Sequence, residues 1–171
     1  MIDRFSVPAI VAAAVLATLG LAGCDPQRIS ELEEGVATEA DVRARFGQPE
    51  KVWDGADGAR VLEYDRQPSG QKNYMITIDR EGRMAALRQV LNPANFARVQ
   101  PGMMMEDVRR LLGKPAKAVT YSLKNETAWD WRYLEPPNTS MVFTVWFNPD
   151  GRVLRTAAAP DPEALEHKGG P

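Results

Sequence analysis

Asp41-Val42-Arg43-Ala44-Arg45-Phe46-Gly47-Gln48-Pro49-Glu50-Lys51 recurs 66 residues later as Asp107-Val108-Arg109-Arg110-Leu111-Leu112-Gly113-Lys114-Pro115-Ala116-Lys117. Six of the eleven positions are identical: Asp, Val, Arg, Gly, Pro and Lys. Such self-similarity at a fixed offset signals a duplicated structural unit. Each copy reads as a short helix. Val42 and Phe46, like Val108 and Leu112, stand four residues apart and so share one helical face. Gly47 and Gly113 supply the left-handed stop, and Pro49 and Pro115 prevent continuation. Thr38 with Asp41 forms the capping pattern S/T-x-x-[DE]. In the second copy Met104 and Met105 replace the capping threonine and read as packing residues.

The similarity extends upstream at an offset of 67. Asp25-Pro26, followed by Ile29, Leu32 and Gly35, matches Asn92-Pro93, followed by Phe96, Val99 and Gly102. A cap residue followed by Pro at the first helical position predicts a second short helix in each copy. Downstream, residues 60–65, 73–79 and 84–91 are strand-like, as are 117–122, 127–134, 141–148 and 152–156. The turns Asp79-Arg80-Glu81-Gly82-Arg83 and Asn148-Pro149-Asp150-Gly151-Arg152 correspond, at an offset of 69. That offset sets Phe143, Val145 and Phe147 opposite Tyr74, Ile76 and Ile78 as the core face. Met75 and Thr77, and in the second copy Val142, Thr144 and Trp146, fall on the reverse face. The expected fold class is α+β: two tandem helix–helix–β-meander units, helices packed on one face of an antiparallel sheet. The units span 24–91 and 92–156, and 157–171, rich in Ala, Pro and Gly, is expected to be a disordered tail.

Ahead of the first unit, Val7 to Leu21 form an apolar run closed by Leu21-Ala22-Gly23-Cys24. About 20 residues are needed to cross a bilayer core, so this run is too short for a comfortable span. It fits the apolar segment of a secretory signal ending in small residues. The stretch resembles a bacterial lipoprotein signal. That resemblance implies cleavage after Gly23, removal of residues 1–23 and lipidation of Cys24, the one cysteine of the chain. Asp25, next to the lipidated position, is by the same resemblance a feature of inner-membrane retention. As a helix cap it matches Asn92, and the outer membrane is then the expected destination.

The composition narrows function. Hydrophobic content of 44% and charged content of 26% are those of an ordinary globular chain. Lys and Arg number 21 against 23 Asp and Glu, with no basic block, so a nucleic-acid partner is not expected. His167, the single histidine, lies in the tail, which leaves no base for Ser-His-Asp or Cys-His schemes and no His/Cys zinc set. Phosphate-binding and nucleophile-elbow motifs are missing as well. Asp54-Gly55-Ala56-Asp57-Gly58 lacks the further acidic positions of a calcium loop and reads as a solvated turn. Glu63, Asp130 and Glu135 are the candidates for paired-carboxylate acid/base work, and the simpler reading makes them charges on wet strand faces.

What remains is surface. Trp146 on the reverse face is either covered within the chain or offered to a partner, since Trp, Tyr and Arg dominate interface hot spots. Trp146, Thr144, Arg132 and Asp130 form the candidate partner-binding patch. The signal ending in Cys24, the first helix and the Gly35–Pro49 and Gly102–Pro115 patterns together resemble the BamE family of lipoproteins, also called SmpA/OmlA. Members of that family carry one such unit. The tandem form is similar to the β-lactamase-inhibitory-protein fold. The resemblance implies a lipid-anchored, periplasm-facing protein-binding module that supports outer-membrane protein or envelope assembly. The alternative is a proteinaceous inhibitor or regulator of a periplasmic enzyme. Neither reading makes the chain an enzyme or gives it a small-molecule substrate. The covalent lipid on Cys24 is the only non-protein group implied, and the partners are the membrane and an envelope protein or assembly complex.

Overall fold

Thr38 and Asp41 close the reciprocal cap that starts the first described helix. The Asp41 amide donates to Thr38 Oγ1 at 3.3 Å, and the Thr38 amide donates to Asp41 Oδ2 at 2.9 Å. A cap of this kind is worth about 1 kcal/mol. The structure, a computed structural model, describes Ile29 and residues 31–166. By compactness Met1–Glu31 is separate from Leu32–Pro171, and the account below concerns only the latter, which holds the sheets of both repeat units. Cys24, Asp25 and Pro26 lie outside the described residues. Helix α1 (Glu39–Phe46) buries Val42 and Phe46 and ends at Gly47, whose φ of 83° is left-handed.

Four antiparallel strands follow, in the order β1 (Lys51–Asp54), β2 (Arg60–Asp65), β3 (Asn73–Ile78), β4 (Met84–Gln89). Strand β1 is absent from the sequence expectation, its four residues being too few to show alternation. The front face of this sheet packs on α1, with Phe46 against Tyr64 at 5.1 Å and Tyr74 at 5.5 Å between ring centroids. Leu62, Ile76, Ile78 and Met84 complete that core.

The second unit repeats the plan. Asn92 caps α2 (Pro93–Phe96), accepting the Asn95 amide at 3.0 Å. Helix α3 (Met105–Leu112) has no side-chain cap at Met104. Its start is held instead by the hairpin turn, where the Met105 amide donates to Gly151 O at 2.8 Å. Glu39 does the same to Gly82 O at 3.0 Å in the first unit. Strands β5 (Lys117–Tyr121), β6 (Glu126–Glu135), β7 (Thr139–Phe147) and β8 (Val153–Pro160) form a second antiparallel sheet in that order. Val108, Leu112, Trp131, Phe143, Val145 and Phe147 are its core, and Phe96 stacks on Phe143 at 4.2 Å. Each unit's own helices thus cover one face of its own sheet, and the fold is α+β.

The expected disordered tail is corrected by the structure. Strand β8 runs on through Ala157–Pro160, in register with Thr144, Phe143, Val142 and Met141. Small side chains there lose little, because backbone pairing against the long β7 holds the strand. A short helix α4 (Pro162–Glu166) follows, and residues 167–171 lie outside the described set.

The wet-face expectation for Glu63 is also corrected. Its residue is 0% exposed, because α3 of the second unit lies on the rear face of the first sheet. Arg109 Nη2 donates to Glu63 Oε1 at 3.1 Å, the Lys114 amide donates to the same oxygen at 2.9 Å, and Trp53 Nε1 donates to Oε2 at 2.9 Å. Asn73 Nδ2 donates to Leu112 O at 2.8 Å and Lys114 O at 3.0 Å. The Arg110 guanidinium stands 4.4 Å from the Trp53 ring centroid, with Lys51 Nζ at 3.7 Å. Helix α3 is therefore sandwiched between its own sheet and its neighbour's.

Candidate functional site

Alternation along β6 and β7 sends two sets of side chains in opposite directions. Trp129, Trp131 and Tyr133 face the helices, and Asp130, Arg132, Val142, Thr144 and Trp146 face away. The register sets Asp130 beside Thr144 and Ala128 beside Trp146, with Lys117 opposite Asp130 on β5. The four residues of the sequence patch thus share one sheet face.

They do not share one environment. Thr144 Oγ1 donates to Asp130 Oδ1 at 2.7 Å. A cleft of about 430 Å³ opens over this pair, lined among others by Pro68, Lys117, Arg132 and Glu163. Arg132 forms a wall of that cleft and is tied within the chain. Its Nε donates to Asp161 Oδ2 at 2.8 Å, and its Nη1 reaches Glu163 at 3.1 Å and Pro68 O at 3.2 Å. Asp161 is 2% exposed, so this pair clamps the start of α4 against the sheet. Charge-assisted hydrogen bonds of this kind are shorter and stronger than neutral ones.

Trp146 sits beyond the cleft and is half-buried. The Arg155 guanidinium lies 4.6 Å from its ring centroid and pairs with Glu126 at 2.7 Å. The hydrogen bond from Arg155 holds the Glu126 carboxyl below its ordinary pKa, and the same bond raises Arg155. Trp146 thus has partial cover within the chain, while Asp130 and Thr144 line open space.

Sequence reasoning missed Trp53, Glu63 and Asn73, which build the joint between the units. One signal for them was present. Strand β3 carries Met75 on its reverse face, an apolar residue where a solvated face would favour a polar one.

No helix among the described residues is long and apolar enough to cross a membrane. Residues 89–157 match the model of the Outer membrane protein assembly factor BamE domain. No curated protein matches the chain. Among solved structures, a DUF4309 family protein, YjgB, from Bacillus subtilis subsp. subtilis str. 168 is similar at 20% identity and a TM-score of 0.33. That alignment covers 80% of this chain and 86% of the other. A putative beta-lactamase inhibitor protein from Streptococcus mutans is similar at 12% identity and a TM-score of 0.32, covering 72% and 82%. Both likenesses are distant.

Proposed function

We propose that this chain is a lipid-anchored protein-binding module of the cell envelope that faces the periplasm and supports outer-membrane protein assembly. The observation that carries the reading is the BamE-domain match over residues 89–157, which takes in α2, α3, β5 to β7 and the first part of β8. The anchor rests on Leu21–Cys24. Acyl chains there would hold the module firmly, since each buried CH₂ contributes about 0.8 kcal/mol and two or more chains suffice. The module performs no chemistry of its own. It offers a partner the rear face of the second sheet, where the Asp130–Thr144 cleft supplies polar specificity and the edge of Trp146 supplies apolar area.

Crosslinking in membranes of the producing cell, followed by purification of the full chain, tests both parts. The expected result is an acylated Cys24 by mass spectrometry and an envelope partner whose recovery falls in Asp130→Ala and Trp146→Ala. An unmodified Cys24 thiol sinks the anchor. Equal recovery of every envelope protein with both variants sinks the binding face. Stoichiometric inhibition of a purified periplasmic hydrolase, with no assembly partner, would replace the assembly role by a regulatory one.

A further inference from the structure

The joint between the two units is a template for a second joint between molecules. It has two halves. The socket is the rear face of a sheet with a carboxylate at its centre, Glu63. The knob is a helix whose last turn carries an arginine and whose terminal glycine lies flat on that face. Gly113 is buried there, and a Cβ on it would stand 2.8 Å from Asn73 Nδ2.

Each half occurs once more, with no such joint among the described residues. On β6, Asp130 holds the place that Glu63 holds on β2. Lys51 pairs with Glu63 as Lys117 pairs with Asp130. The Glu50 amide donates to Glu63 O, and the Ala116 amide donates to Asp130 O, both at 2.8 Å. The two carboxylates differ in what they receive. Glu63 is sealed by a guanidinium, an indole and a backbone amide, whereas Asp130 takes the Thr144 hydroxyl and faces a cleft of about 430 Å³. On α1, Arg43 holds the place of Arg109 and Gly47 that of Gly113, with φ of 83° against 78°. Around Gly47, however, a Cβ would meet nothing within 4 Å. Arg43 now donates to Glu39 and to the exposed Gln48, and the Gln48 bond is one that water can replace.

We propose that a second copy of this chain seats its α1 on the rear face of the second sheet, with its Arg43 directed at Asp130. This rests on the reading of that face as a protein-binding surface and names its occupant. Knob and socket lie on different surfaces of one molecule, so the contact is heterologous and extends copies into rows unless its rotation closes a ring. The intermolecular joint is weaker than the internal one. Val142 follows the β3–β7 correspondence to the place of Asn73, so the amide that binds two carbonyls at the end of α3 has no counterpart. Confinement to a membrane surface raises the effective concentration that such a weak contact needs.

The test places a benzophenone amino acid at Val119, the β5 position corresponding to Trp53, in the full chain in membranes of the producing cell. Irradiation is expected to give a dimer whose crosslinked peptide lies within residues 39–48 of another copy. Arg43→Glu and Asp130→Arg should each lower its yield at least about tenfold, and the double variant, which reverses the pair, should restore it. Asp130→Asn keeps a partner for Thr144 while removing the charge, and is expected to lower the yield as well. Crosslinks to a different protein overturn self-docking and leave the envelope-partner reading standing. A self-crosslink alongside empty partner purifications does the reverse. A dimer unmoved by both charge reversals, or no crosslink at all, overturns the proposal.

Discussion

Glu63 and Arg109 meet at 3.1 Å across the joint, the glutamate side chain 0% exposed and the arginine side chain 27%. Removing the cation leaves a buried charge without its counter-ion, which costs about 3–5 kcal/mol in fully buried pairs. Arg109→Met is expected to cost about 3 kcal/mol in urea unfolding at neutral pH. Arg43→Met, its repeat counterpart, leaves behind Glu39, which is 17% exposed and also pairs with Arg60, and is expected to cost less than about 1 kcal/mol. Equal losses would show that the joint contributes nothing special.

Gly113 and Gly47 offer a second internal comparison. Both need a left-handed φ, so alanine costs about 1–2 kcal/mol at either site. At Gly113 the new Cβ also collides with the Asn73 amide. Gly113→Ala should therefore be worse than Gly47→Ala by more than about 1 kcal/mol. Adding Asn73→Ala to Gly113→Ala should cost less than the two single losses summed, measured as a double-mutant cycle.

Two aspartates should titrate with opposite signs. Burial pushes the Asp65 carboxyl up, Glu50 and Glu63 push the same way, and Lys114 opposes them. Its folded pKa lies above the unfolded value of about 3.9, so stability falls as pH rises through that window. Asp65→Asn should then stabilise at pH 7 and be neutral near pH 3. Bonds from Thr38 hold Asp41 below its ordinary value. Its contribution is present above about pH 3.9 and is lost as pH falls through the folded value, so Asp41→Asn should destabilise at pH 7 but not at pH 2. Thermal melts across pH 2–7 check both.

Asp161 closes one end of the cleft through Arg132. Asp161→Ala should release α4, cost about 2–3 kcal/mol and speed amide exchange over Ser140–Thr144. Unchanged exchange there would show that the clamp does not shape the face.

The repeat was legible because its signals are local. A glycine stop and a four-residue apolar spacing announce α1 and α3 without reference to anything distant, and the Thr38–Asp41 cap adds the start of α1. The shared face of Asp130, Arg132, Thr144 and Trp146 followed from strand alternation alone. What escaped was long-range. Whether Glu63 is wet depends on Arg109, 46 residues away, and whether Arg132 is free depends on Asp161, 29 residues away. Ala157–Pro160 misled because small residues contribute little by themselves, and their order comes from the partner strand β7.

A chain is made from its N-terminus, so the first meander is complete before the residues that shield it exist. Until Arg109 and Gly113 arrive, Trp53, Met75 and an unneutralised Glu63 stand bare to whatever is nearby. The first half therefore depends on the second to finish it, and a nascent polypeptide stalled between Gln89 and Met105 is the species most exposed to aggregation and proteolysis.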